Sequence, residues 1–285
     1  MKIAGVTGIR DEIERIEFVI KHHLSQGCDY IFVYDNGSTD GTLELVQQMS
    51  EKDSRIIWHS DPGPYQQQLQ YQYLFGKAKE YGCEWIVPFD GDEIIVSENG
   101  LKNDLITVTQ DAIQLGVRHF VQSTNYDEDK IFSNTNWRFP LNAKPVDFRL
   151  VEENIFSMVE LLGSPKHIFR NVNYELDLSW GTHVSSAKTV LNNAEKFKMY
   201  SVTLSSKKHL LRKSENGRRI RELPDFNAGL GFEAQRLYLK TLDGSIYNEW
   251  VVNSEVDGKV KRYDGTVFEL EFDDEDRGRI ESEVG

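Results

Sequence analysis

The chain is poor in cysteine, has no long apolar run and carries no excess of basic charge, and each absence removes a class of protein. Only Cys28 and Cys83 occur in 285 residues, each just ahead of an apolar run. They read as small buried thiols of a reducing compartment, since the spacing signals of a disulfide framework or a metal pair are missing. Apolar stretches such as Tyr30–Tyr34 fall far short of the roughly 20 residues that a membrane span needs. The opening MKIAGVTGIRDE is charged by Arg10 and lacks the apolar core of a signal peptide. A cytoplasmic protein without a transmembrane segment is therefore expected.

Lys and Arg number 33 against 46 Asp and Glu, a formal charge of −13. Without a basic stripe to displace counterions, nucleic acid is not an expected partner. An anionic substrate stays open, because carboxylates that hold a divalent cation invert the sign of a site. Hydrophobic residues make up 39% and charged residues 28%, which suits a globular chain and argues against wholesale disorder.

The first 120 residues alternate strand and helix patterns. Lys2–Thr7 reads as a strand, and Asp11–Gln26 as a helix with Ile13, Ile16, Val19, Ile20 and Leu24 on one stripe. Tyr30–Tyr34 is a second strand, followed by a helix through Leu43, Val46 and Met49. Arg55–Trp58 is a third strand, Pro64–Tyr81 a helix with five glutamines, and Glu84–Phe89 a fourth strand. A helix over about Leu101–Leu115 leads into a strand at Val117–Gln122. This rhythm predicts a mainly parallel sheet covered by helices on both faces, with ligands beyond the carboxyl ends of its strands.

From about Asn125 the rhythm breaks. Short strands are expected at about Lys166–Asn171 and Thr182–Ser185, and helices from Ser205 through Arg221 and over Gly244–Asn253. The last twenty residues hold eight acids and two arginines and read as a solvated, partly disordered tail. There is no internal repeat and no Pro- or Gly-rich linker.

Two acidic turns fall at the carboxyl ends of expected strands. In Asp90-Gly91-Asp92 the carboxylates at i and i+2 point the same way, and Gly91 lets the backbone turn. Hard oxygen ligands at that spacing suit Mg²⁺ or Mn²⁺, whose remaining positions the phosphates of a nucleotide would fill. In Asp35-Asn36-Gly37-Ser38-Thr39-Asp40-Gly41, Ser38 or Asp40 can cap the next helix, while Asp35 at the strand tip can accept hydrogen bonds from a nucleobase or ribose. The run is no EF-hand loop, because Asp40 stands where that loop needs glycine.

The segments VTGIRDEIERIEFVIKHHLSQGCDYIFVYDNGSTDGT and EWIVPFDGDEII resemble the family-2-like glycosyltransferases of the GT-A fold over roughly residues 1–95. The resemblance implies an α/β fold with a Rossmann-like, mainly parallel sheet flanked by helices and an irregular α+β C-terminal elaboration. Residues 1–123 would form the nucleotide-sugar-binding half. Residues 124–265 would be the acceptor and metal-completing half of the same domain, and 266–285 the acidic tail. The implied activity is a metal-dependent, inverting transfer from a nucleotide-diphosphate sugar to a glycan or other hydroxyl acceptor. Thr7 and Arg10 would line the nucleotide pocket, Asp35 would contact the base, Asp90 the ribose or metal, and Asp92 the Mn²⁺ or Mg²⁺. His183 would be a third metal ligand. His209 and Arg212 would belong to a basic segment over the diphosphate, with Lys166 in a similar role. Asp11 departs from the family's usual Asn, and Ile94 from its usual aromatic.

The base of an inverting transfer must face the acceptor hydroxyl. Asp147, Glu160 and Asp177 all qualify by type, no motif selects among them, and Asp177 is preferred for its place six residues before His183. Three rival readings remain. A nucleotidyltransferase would carry a glycine-rich basic loop after the first strand, which Val6-Thr7-Gly8-Ile9-Arg10 matches poorly. A dehydrogenase would need G-x-G-x-x-G there. A non-catalytic binding protein would keep the fold without turnover.

Overall fold

A computed structural model describes residues 1–127, 135–163, 165–171, 187, 189–223 and 231–273. The chain forms two compact units. One comprises Met1–Val117 and the described residues of 164–201, the other 118–163 and the described residues of 202–281.

The first unit is built on a seven-stranded sheet. Strand β1 (Ile3–Ile9) leads into helix α1 (Ile16–Ser25), β2 (Tyr30–Asp35), α2 (Thr42–Lys52), β3 (Ile56–Ser60), α3 (Gln67–Glu80) and β4 (Trp85–Pro88). β5 (Glu93–Ser97), α4 (Leu101–Leu105) and β6 (Ala112–Gln114) follow. β4, β1, β2 and β3 lie side by side and all parallel. Beyond β4 comes the single reversed strand His167–Arg170, then β6 and the strand Val190–Asn192. The mainly parallel sheet flanked by helices is thus present.

Burial follows from composition. Ile31, Phe32 and Val33 of β2 are almost wholly enclosed, as expected for a strand covered on both faces. On one face Tyr71, Leu74, Phe75 and Ala78 of α3 pack with Val6, Phe32, Ile86 and Phe169. α1 buries Ile16, Val19, Ile20 and, unexpectedly, His22 and His23. Cys28 and Cys83 are free and buried, and burial pushes both thiols up, Cys83 to about 11.

Several expectations need correction. The helix over Leu101–Leu115 stops at Leu105, and Ala112–Gln114 is instead a strand paired with its neighbours on both sides. Helix α1 begins at Ile16, because Asp11 turns the chain through a left-handed φ of 55° and the first helical turn is built on the Glu12 carbonyl. Asn and Asp tolerate that conformation best among non-glycine residues, which explains physically why Asp can replace the usual Asn there. Within the last twenty residues, Val267–Glu269 and Glu271–Phe272 are short strands. The strand placed at Thr182–Ser185 lies outside the described residues.

The second unit packs helix Lys207–Arg221 against Phe232–Leu242. Gly217 allows the approach, since a Cβ there would collide with the Ala234 carbonyl. Leu210, Leu237, Ile246 and Trp250 form its core with Val151 and Met158.

Candidate functional site

The acidic turns lie where parallel packing puts them. In the β1–β2 register Ile9 faces Asp35, and in the β1–β4 register Val6 faces Pro88, so both strands end on one edge of the sheet. The reversed strand supplies the cation. It pairs Trp85 with Arg170 and Ile86 with Phe169, and counting on in that register sets Lys166 opposite Phe89. An antiparallel neighbour therefore begins where β4 ends.

Lys166 Nζ stands 2.6 Å from Asp90 Oδ2 and 2.6 Å from Glu93 Oε2, and the lysine is 4% exposed. Glu93 Oε2 also accepts the Asp90 amide at 2.9 Å, and Tyr71 donates its hydroxyl to Asp90 Oδ1 at 3.3 Å. Burial pushes the Glu93 carboxyl up to about 7, Asp90 and Asp92 add to the rise, and Lys166 opposes it. Burial works against the Lys166 charge as well, but Asp90 and Glu93 outweigh it and hold its pKa well above the ordinary lysine value. The ammonium is therefore charged at neutral pH.

Asp90, Asp92 and Glu93 each bring a carboxylate oxygen within 4.8 Å of the others. Three hard oxygens this close suit Mg²⁺ or Mn²⁺, and the Lys166 ammonium bridges two of the three residues. Beneath the turn Arg15, 1% exposed, donates Nε to Glu12 Oε2 at 3.0 Å. Burial disfavours the charge on Arg15, and Glu12 and Asp92 outweigh that effect. A Cβ on Gly91 would come within 2.8 Å of Glu12 Cδ, so glycine is what allows the turn to rest on the Glu12–Arg15 pair.

The second turn is organised by its own first residue. Asp35, 1% exposed, accepts the amides of Gly37 at 3.0 Å and Ser38 at 3.3 Å and the hydroxyl of Ser60 at 3.0 Å. Gly37 needs its φ of 72°, and a Cβ there would sit 3.0 Å from Pro62. Asp11 Oδ1 accepts the Thr39 amide at 2.6 Å, and Ser38 Oγ accepts the Asp11 amide at 2.9 Å. Arg10 donates Nη1 to the Asn36 carbonyl at 2.7 Å. Thr7 is fully enclosed in β1, its hydroxyl without a hydrogen-bond partner among the described residues.

Of the residues singled out in the sequence, Asp90, Asp92 and Lys166 thus share one cluster. Asp35 and Arg10 shape the neighbouring turn of the same sheet edge. His209 and Arg212 belong to the second unit, where His209 is buried at the start of the Lys207–Arg221 helix with Nδ1 3.2 Å from Ser205 Oγ. Asp177 and His183 lie outside the described residues. The other carboxylates considered as a base have structural partners. Asp147 caps the Phe148–Glu152 helix and pairs with Arg149, while Glu160 is bound by Arg262 and by the Ser157 amide. Sequence reasoning passed over Glu93, Glu12 and Arg15. Glu93 stands inside the quoted Asp-Gly-Asp-Glu run, and its spacing was the one available signal.

The model of the family described as glycosyltransferase family 92 matches residues 3–213. A glycosyltransferase family 92 protein of Ricinus communis is 26% identical over 109 residues, 38% of this chain and 18% of that protein. One of Arabidopsis thaliana is 32% identical over 74 residues, 26% of this chain and 13% of that protein. The matched stretch thus spans less than a fifth of either relative. Among solved structures the chain aligns with Staphylococcus aureus TarS 1-349 in complex with UDP-GlcNAc, at 13% identity and a TM-score of 0.45, covering 90% of this chain and 77% of that one. It also aligns with the mannosyltransferase PcManGT of Pyrobaculum calidifontis in complex with GDP-Man and Mn²⁺, at 13% identity and a TM-score of 0.41, covering 87% and 72%. Among the described residues no helix is long and apolar enough to cross a membrane.

Proposed function

The chain belongs to glycosyltransferase family 92, and on that premise we propose that it is a metal-dependent, inverting glycosyltransferase. It would move a sugar from a nucleotide-diphosphate donor to the hydroxyl of a glycan or other acceptor. The observation that carries the reading is the gathering of Asp90, Asp92 and Glu93 at the carboxyl edge of the sheet. These residues would hold Mn²⁺ or Mg²⁺, with His183 completing the ligand set. When bound, the metal offsets the charge that develops on the departing nucleotide diphosphate.

The chain's own residues do the rest. Tyr71 holds the Asp90 carboxylate, and Arg15 holds Glu12 against Gly91 and faces Asp92 with a buried positive charge. Asp35, tied into its turn, orients the amides and hydroxyls that a base or ribose would meet, with Arg10 beside them; Thr7, fully enclosed in β1, would not line that pocket as the sequence led us to expect. Asp177 would take the acceptor proton.

The test is calorimetric titration of UDP and GDP into the purified protein with Mn²⁺ and with a chelator. Binding of one nucleotide is expected with Mn²⁺ alone, and Asp92→Ala is expected to remove it while the thermal melt stays cooperative. Equal affinity in chelator would overturn the metal reading.

A further inference from the structure

Resting on that reading, we infer that Lys166 is a built-in competitor for the metal: its ammonium occupies the cation position between Asp90 and Glu93, and the nucleotide must draw it off before Mn²⁺ can bind tightly. The geometry carries the argument. A divalent ion using an oxygen of Asp90 and one of Glu93 would need the space where Lys166 Nζ makes both of its 2.6 Å contacts. Two cations so placed repel, the more strongly because Lys166 and Glu93 are shielded from water even though Asp90 is half-exposed. Lys166 must therefore yield at least one of its two carboxylates.

The lysine is nevertheless well held. It is 4% exposed, and it immediately precedes the strand His167–Arg170. A buried ammonium that loses both carboxylates needs another anion, since an unpaired buried charge costs several kcal/mol. A diphosphate is that anion. Its arrival would accept the ammonium and release Asp90 and Glu93 to the metal in one exchange of partners. Metal and nucleotide would then each raise the affinity for the other by the same factor, as linkage requires. Without nucleotide, Lys166 keeps the carboxylates together at partial charge balance and the site stays closed to free Mn²⁺.

The experiment measures Mn²⁺ binding by calorimetry and by loss of the free-ion EPR signal, for the wild-type protein, Lys166→Met and Lys166→Arg. Each is titrated with Mn²⁺ alone and with saturating UDP or GDP. Lys166→Met is expected to bind Mn²⁺ alone at least tenfold more tightly than wild type, and Lys166→Arg to stay within threefold of it. Nucleotide is expected to tighten wild-type Mn²⁺ binding tenfold or more, and to tighten the Met variant distinctly less. A folded Met variant with unchanged or weaker Mn²⁺ affinity would overturn the inference, even where wild type binds Mn²⁺ with nucleotide as proposed. Should the Met variant fail to fold, wild-type Mn²⁺ affinity that ignores both nucleotides would overturn it as well. Absence of Mn²⁺ binding in every arm, Met variant included, would remove the metal reading and this inference together.

Discussion

The imidazole of His23 lies flat against the Phe89 ring, 3.7 Å between centroids and 8° between planes. Phe89 is the residue before Asp90, so a helix histidine backs the acidic turn. His23 donates Nδ1 to the Val19 carbonyl at 2.8 Å and accepts the Ile95 amide on Nε2 at 3.4 Å, while His22 donates Nε2 to the Ile95 carbonyl at 3.0 Å. Both backbone groups of Ile95 are thereby held by α1, and the strand leaving the turn is fixed from behind.

This arrangement sets an acid limit on stability. Burial lowers His22 to about 4 and His23 well below 6.5, so the folded protein keeps both neutral where the unfolded chain protonates them. The contribution is complete above about pH 6.5 and is lost as pH falls towards 4. For His22 alone it amounts to roughly 3 kcal/mol, at about 1.4 kcal/mol per pH unit. Urea unfolding between pH 7 and 4.5 is expected to show that loss, and His22→Gln to flatten it. A wild-type curve level across the range would count against the buried neutral pair.

Two glycines separate close packing from chain flexibility. Gly91→Ala drives a methyl into Glu12 and is expected to cost about 1–3 kcal/mol and to weaken Mn²⁺-dependent nucleotide binding. Gly76, inside α3 with nothing within 4 Å of a Cβ, should do the opposite. Gly76→Ala is expected to stabilise the protein by about 0.5–1 kcal/mol with binding unchanged. Thermal melts of the two variants check the pair, and a destabilised Gly76→Ala would contradict the open space around it.

The parallel strands β1 to β4 are legible because their β-branched and aromatic runs are bounded by turn formers. β5 is hidden by its position, since Ile94-Ile95-Val96 follows the acidic turn without a break and reads as its tail. Leu101–Leu115 misleads because Leu101, Leu105, Val108, Ala112 and Leu115 fit a helical stripe. In fact Ala112–Gln114 pairs with strands whose partners, Phe169 and Val190, lie far along the chain. The same distance hides the heart of the site. Asp90 and Asp92 announce themselves by spacing, whereas Lys166 stands 73 residues from Glu93 and is brought there by one reversed strand. Nothing local in the sequence signals that Arg15, on an otherwise charged helix start, is enclosed beneath the turn.

Asp35 has a structural duty that its binding role must be separated from. Three donors converge on its carboxylate, and Asp35→Ala leaves the Gly37 and Ser38 amides and the Ser60 hydroxyl without that acceptor. A loss of about 1–3 kcal/mol in unfolding free energy is expected. Ser60→Ala removes one donor and leaves the two amide contacts, so it should cost about 1 kcal/mol or less. Nucleotide affinity measured on both variants tells the roles apart: a fall for Asp35→Ala but not for Ser60→Ala is expected if the turn presents the base pocket. Equal affinity in all three proteins would confine Asp35 to folding.

In the second unit the buried ion pair Arg236–Glu249 offers a sharper contrast with surface charge. Glu249 is fully enclosed and receives Arg236 Nε at 3.2 Å and Nη2 at 3.0 Å, and the Tyr263 hydroxyl as well. Arg236 Nη2 also donates to Asn154 Oδ1 at 2.9 Å, so the guanidinium ties three stretches of chain together. Glu249→Ala strands that guanidinium in a buried position and is expected to cost about 3–5 kcal/mol. Arg218 pairs with both Glu215 and Glu222 on an exposed helix face, and Arg218→Ala is expected to cost far less than Glu249→Ala despite its two ion pairs. Denaturant titration of the two variants decides the comparison. Similar losses in both would mean that the Glu249 network is wetter than its enclosure indicates.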